Sequence, residues 1–150
     1  MAKAAIEAAK SKLELVEEML VDEAEDAINE YWIEWRLMNK KLAKAERNDT
    51  LPKKYQRGNV APRITVRTRK PYIEWVIYAP GRYGGRKKNW GKRITPRRGP
   101  VYRMSQFYKI TQKWEFELIE QTENRVRPLR YAIEYIHGSI AYLNRLLSKM

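Results

Sequence analysis

PRITVRTRKPYIEWVIYA, residues 62–79, is the stretch on which the fold turns, and it reads as a β-hairpin. From Arg63 to Arg69 the side chains alternate. Ile64, Val66 and Thr68 fall on one face, and Arg63, Thr65, Arg67 and Arg69 on the other. Tyr72 to Ala79 is rich in β-branched and aromatic residues, which suit a pleated, half-buried surface. Lys70-Pro71 separates the two runs. A two-residue turn at that point sets Ile64 beside Ile77, Val66 beside Trp75 and Thr68 beside Ile73 on the apolar face. On the polar face it sets Arg67 beside Glu74 and Arg63 beside Tyr78. Each face is then internally consistent, which supports the register. Its weak point is Pro71, disfavoured at the second corner of a common turn, so a longer or irregular turn stays open.

Outward from the hairpin the chain is helical on both sides. Over residues 3–46, Ile6, Ala9, Leu13, Val16, Leu20, Ala24, Ala27, Tyr31, Trp35, Met38 and Leu42 recur at steps of three and four without a Gly or Pro. Such a helix is roughly 65 Å long, and Asn48, Asp49 and Pro52 end it. Residues 105–149 carry a second stripe, with Ser105 as the expected N-cap. The stripe runs through Phe107, Ile110, Trp114 and Leu118, then Val126, Leu129, Ile133, Ile136, Ile140, Leu143 and Leu147. Pro128 is expected to kink or divide this helix, and Gly138 to weaken it by about 1 kcal/mol relative to Ala. Both stripes need a partner. Antiparallel pairing of the arms within the chain supplies one, and a homodimer is the other route. The expected fold class is α+β and mostly helical: two long helical arms flanking a small antiparallel β-hairpin or three-stranded sheet with a basic loop. The expected organisation is one elongated domain over residues 1–150. It comprises a long helix in 1–50, a basic β segment and loop in 51–103, and C-terminal helices in 104–150.

Charge is distributed unevenly among these parts. The 150 residues carry 31 Lys plus Arg against 18 Asp plus Glu, a net charge of +13. Residues 1–50 hold 8 basic and 12 acidic side chains, and residues 104–150 hold 7 and 5. Residues 51–103 hold 16 basic side chains and a single carboxylate, Glu74. The middle third therefore carries the entire excess. Its self-repulsion is relieved by a polyanion, and nucleic acid suits it better than a membrane because the segment has no amphipathic helical pattern.

The candidate nucleic-acid-binding residues are Arg63, Arg67, Arg69 and Lys70 on the hairpin, with Arg82, Arg86, Lys87, Lys88, Lys92, Arg93, Arg97 and Arg98 in the segment 80–100. That segment also holds five Gly and three Pro, and reads as a mobile basic loop to which Trp90, Ile94 or Val101-Tyr102 could add a third strand. Arg and Lys neutralise phosphates, and Gly lets a loop approach a backbone closely. A two-stranded ribbon also fits a major groove, where Arg reads guanine edges. Tyr72, Tyr78, Tyr83, Trp90 and Tyr102 interleave with these charges and read as stacking platforms for unpaired bases or as cover for a small core, with Tyr83 and Trp90 divided evenly between the two. Trp75 reads as core.

Other chemistries are excluded or disfavoured. Cys is absent, which removes disulfide frameworks, Cys-ligated zinc and Cys nucleophiles. A single His, His137, excludes an all-protein triad of His ligands. The acidic stretch Asp22, Glu23, Glu25, Asp26, Glu30 and Glu34 reads as a solvated face, paired with Arg36, Lys40 or the other arm, rather than as a cation site. No nucleotide-binding or hydrolase fingerprint occurs, and Glu74 alone cannot hold a nuclease metal. No catalytic residue, cofactor or metal is expected. No apolar run reaches a membrane span and no secretory h-region opens the chain, so a cytoplasmic location is expected.

The residues Glu30-Tyr31-Trp32-x-x-Trp35, Ala61-Pro62-Arg63, Ile73-Glu74-Trp75 and Lys113-Trp114-Glu115, followed by an Arg-bearing helix, resemble the MobI-type accessory mobilisation proteins over roughly residues 25–145. These are small proteins of integrative conjugative elements and conjugative plasmids. The resemblance implies a DNA-binding factor, not itself an enzyme, that recognises an origin of transfer and helps a separate relaxase act there. DNA, a relaxase or other transfer proteins are the implied partners. The alternatives are an RNA or single-stranded nucleic-acid binder, and a helical adaptor whose basic end docks an acidic protein.

Overall fold

A computed structural model describes residues 1–48, 57–78, 91–97 and 99–150. Helix α1 spans Ala2–Arg47 and helix α2 spans Lys113–Ser148. Between them lie strands β1 (Val60–Arg67), β2 (Lys70–Tyr78) and β3 (Gly91–Arg93), and a 3-10 turn at Met104–Gln106. The strands form one antiparallel sheet in the order β1-β2-β3. The helices run antiparallel: Trp35 of α1 meets Glu115, Glu30 meets Arg125, and Glu17 meets His137. Helix α1 lies against β1 and α2 against β2. Towards its N-terminus the α1 seam passes through half-buried Lys10 and Glu17 rather than the expected Ala9 and Val16, which are exposed.

The hairpin register differs from the sequence expectation by four residues. Arg63 stands opposite Glu74, Ile64 opposite Ile73, Val66 opposite Pro71 and Arg67 opposite Lys70. The turn therefore falls on Thr68-Arg69, whose φ values of 51° and 66° follow the type I′ pattern. Proline decides the difference. Its φ is locked near −65°, so Pro71 cannot supply the positive φ that a tight hairpin turn requires. Thr68 and Arg69 can, at a cost of roughly 1–3 kcal/mol each. Pairs alternate along the ladder, so Val66–Pro71 and Pro62–Trp75 become non-hydrogen-bonded sites where a missing N–H costs no ladder bond. The displacement is even, so Ile64, Ile73 and Trp75 still share the apolar face.

At the same non-hydrogen-bonded sites the backbone of each strand points away from its hairpin partner, and the rest of the fold answers it. On the β1 edge, the Tyr31 hydroxyl donates to the Val60 carbonyl at 2.6 Å and the Trp32 indole donates to the Pro62 carbonyl at 2.7 Å. The Val60 N–H donates to Glu115 Oε2 at 3.0 Å. On the far side of β2, Arg130 Nε donates to the Ile73 carbonyl at 2.9 Å, and the Trp75 N–H donates to the Tyr102 hydroxyl at 3.3 Å. Side chains thus cover sheet edges that would otherwise be templates for another strand.

The core has two adjoining parts. Ala24, Ala27 and Ile28 of α1 meet Ile73, Val126, Leu129 and Ile133 in the first. Tyr31, Val60, Ala61, Trp75, Tyr102, Phe107 and Ile119 form the second. Trp75 is fully buried, with edge-on contacts to Tyr31 and Phe107 at centroid distances of 5.2 and 5.5 Å. Phe107 explains why the second helix starts at Lys113 and not at Ser105. Its ring plugs this core, and the chain turns through residues 107–112 to place it there. Pro128 does not divide α2. Both Pro128 and Asn124, whose carbonyl loses its intrahelical donor, are exposed, so the break in the ladder lies on the solvent side of the helix. Val126, Leu129 and Arg130 on the opposite face are buried and hold the helix course.

Candidate nucleic-acid interface

The helices cover the sheet face that carries Ile64, Ile73 and Trp75. Arg63, Thr65 and Arg67 of β1, Tyr72 and Glu74 of β2, and Arg93 of β3 share the other face. Glu74 sits at its centre. Oε1 accepts hydrogen bonds from Arg63 Nε at 2.9 Å and Thr65 Oγ1 at 2.8 Å. Oε2 accepts one from Arg67 Nη1 at 2.9 Å and lies 2.9 Å from Arg93 Nε. The Glu74 side chain is 2% exposed, whereas those of Arg63, Arg67 and Arg93 are 30%, 39% and 39% exposed. Burial pushes the Glu74 carboxyl up, but the Thr65, Arg63 and Arg67 hydrogen bonds and the Arg67 charge outweigh it and hold the group below the ordinary carboxylate range. Three cations around one anion leave a local charge of +2. The guanidinium of Arg67 also lies 4.2 Å from the Tyr72 ring centroid.

This arrangement corrects the sequence reading of the Arg67–Glu74 pair as an isolated contact between facing residues. Arg63 is the residue directly across from Glu74, Arg67 reaches it diagonally, and β3 adds Arg93. The other candidates are not all brought to this face. Arg69 is exposed at the turn. Lys70 pairs with Glu134 of α2 and lies over Tyr72. Lys92 stands opposite Ile77, which puts it on the reverse face from Arg93, and Arg97 is exposed beyond β3. Arg82, Arg86, Lys87, Lys88 and Arg98, with Tyr83 and Trp90, lie outside the described residues.

Several polar residues that the sequence reading passed over turn out to be buried. Glu123 accepts a hydrogen bond from Trp75 Nε1 at 2.8 Å and pairs with Arg130, and Arg127 Nε lies 3.5 Å from it. Arg130 also packs over the Tyr102 ring at 4.8 Å. Glu115 accepts hydrogen bonds from Trp35 Nε1 at 2.9 Å and from Val60, while burial raises its carboxyl above the ordinary range. The spacing of Glu123, Arg127 and Arg130 on one helical face was the available signal; their burial was not readable from it. Arg93, Arg130, Tyr72, Tyr102 and Ile133 line a cleft of about 210 Å³ between β2, the segment after β3, and α2. Glu74 also lines it, so Glu74 and Arg93 belong to both the cleft and the arginine face.

Among the described residues no group of three His, Asp or Glu side chains could hold a metal ion, and no helix is long and apolar enough to cross a membrane. The acidic stretch of α1 is engaged with the other arm through Glu30 and Arg125. Tyr102 is a structural residue, its hydroxyl donating to the Ile94 carbonyl at 2.7 Å, and Tyr78 packs edge-on against Trp32 at 5.5 Å. Neither is a free stacking platform; among the described residues, Tyr72 is the aromatic in contact with the Arg67 guanidinium. No curated protein and no solved structure matches the chain. Residues 20–144 match the family model described as MobI protein, so the match spans α1 from Leu20 onward, the whole sheet and nearly all of α2, and the chain belongs to the MobI family.

Proposed function

We propose that this protein is a non-enzymatic accessory factor of conjugative mobilisation that works in the cytoplasm. In this reading it binds double-stranded DNA at an origin of transfer and helps a separate relaxase to act there. Family membership supports the mobilisation role. The observation that carries DNA binding is the arginine face. Arg63, Arg67 and Arg93 are held on the side of the sheet opposite the helices, in a segment with 16 basic residues and one carboxylate. The hairpin is a two-stranded ribbon with its turn exposed at Thr68-Arg69, a shape that fits a major groove.

Competition binding with duplex DNA, single-stranded DNA and structured RNA tests the reading. Duplex carrying a transfer origin should compete best. Affinity should fall steeply with salt, with a log–log slope of about −5 if roughly 6 phosphates are contacted. Preference for single strands or RNA would replace this reading with the single-strand one, in which Tyr72 stacks on bases. Salt-insensitive binding, or none, would favour docking of an acidic protein.

A further inference from the structure

We propose that Arg63, Arg67 and Arg93 form a preformed oxyanion site for phosphodiester groups, and that Glu74 is its positioning residue. The inference rests on the nucleic-acid reading and names the ligand chemistry of that face. Glu74 contributes no attraction for an anion. Its carboxylate is turned inward at 2% exposure and is occupied by Thr65 and the three guanidiniums. What it does, from the central strand β2, is gather two arginines of β1 and one of β3. Without it, the like charges of Arg63 and Arg67 on β1 and Arg93 on β3 repel and splay into solvent. With it, Arg63 and Arg93 face the carboxylate through Nε and Arg67 through a single Nη. A guanidinium carries five N–H donors in a planar fork, so each retains donors beyond the one spent on Glu74. Planar forks held at fixed spacing suit the paired oxygens of a phosphate better than mobile ammonium groups do.

This assignment makes a counterintuitive demand. Glu74→Gln raises the net charge from +13 to +14, so a diffuse electrostatic surface would bind DNA as tightly or more tightly. A positioned site should instead lose about tenfold in affinity, because the arginines no longer converge. Arg67→Lys and Arg93→Lys keep the charge but remove the fork, and each should lose about threefold to tenfold with little change in salt slope. Thermal melts accompany each variant. If folded Glu74→Gln binds duplex as well as the parent, the proposal is overturned. If Glu74→Gln does not fold, the lysine variants decide, and parental affinity in both overturns it.

A titration with inorganic phosphate, followed through the arginine Nε–H resonances, separates this site from the DNA reading. Saturable shifts of Arg63, Arg67 and Arg93 are expected in the parent and should be lost in Glu74→Gln or, should that variant not fold, weakened in the lysine variants. Saturable shifts without any nucleic-acid binding would keep the site and remove the DNA reading. DNA binding with the three resonances unmoved by phosphate would remove the site and keep the reading.

Discussion

Replacing Glu123 by Gln should destabilise this protein far more than any surface ion pair would. The carboxylate is fully buried and Arg130 is 4% exposed. Gln keeps the volume and an oxygen for the Trp75 indole, now 2.8 Å from Oε1. It removes the charge opposite Arg130, whose Nε is committed to the Ile73 carbonyl and whose guanidinium is stacked on Tyr102. Breaking one side of a buried pair costs about 3–5 kcal/mol. The retained indole bond, and the outer position of Arg127, place the expectation at the lower end, about 3 kcal/mol. With a urea dependence of about 1–3 kcal/mol per molar, the midpoint should fall by about 1–3 M. Urea unfolding followed by far-UV circular dichroism and tryptophan fluorescence measures this. The double replacement Glu123→Gln with Arg130→Met should recover much of the loss, because it removes the buried charge that Glu123→Gln alone leaves without a counter-ion. It should stay short of full recovery by about 1 kcal/mol, because the Ile73 carbonyl loses its donor. A loss below about 1 kcal/mol for Glu123→Gln, or a double variant less stable than the single one, would refute the view that this pair is desolvated and pins β2 to α2.

Other expectations follow from the same geometry. A Cβ on Gly58 would lie 2.2 Å from Glu115 Oε2 and 2.8 Å from the Trp114 ring, so Gly58→Ala should lower stability by about 1–3 kcal/mol in a thermal or urea melt. Thr68→Asn with Arg69→Gly relieves positive φ at both turn residues and should raise stability by about 1–2 kcal/mol; the same pair should weaken DNA binding through loss of Arg69. Glu74 has its folded pKa lowered, so its stabilisation is full above the ordinary value of 4.5 and is lost as pH falls through the lowered one. Glu115 has the opposite sign: its raised folded pKa makes stability fall as pH rises from 4.5 through the raised value. Urea midpoints against pH for the parent, Glu74→Gln and Glu115→Gln should separate the two limbs, and a parent acid limb that survives in Glu74→Gln would assign it elsewhere. Trp75→Asp puts a charge in the fully buried core position and should abolish cooperative unfolding; a normal melt would mean that the sheet faces are assigned backwards.

The sequence by itself determined the elements and the faces. Apolar steps of three and four define α1 almost to the residue, since a helical stripe is a local periodicity that survives any tertiary arrangement. The two-residue alternation from Arg63 to Arg67 likewise separates an arginine face from a core face, and that separation outlived a four-residue change of register because the change was even. The charge count of residues 51–103 is likewise a property of the sequence alone, and the proposal of a polyanionic partner starts from it. Tertiary structure decided the rest. Turn position depended on which residues could bear positive φ, and Thr68-Arg69 bear it because the locked ring of Pro71 cannot. The start of α2 depended on Phe107 being needed in the core, a demand made by Trp75 and Tyr102 from elsewhere in the chain. Glu74 looked like one carboxylate among many cations. Its role emerged only when three strands brought Arg63, Arg67 and Arg93 around it, because residues far apart in sequence become a cluster only through strand pairing.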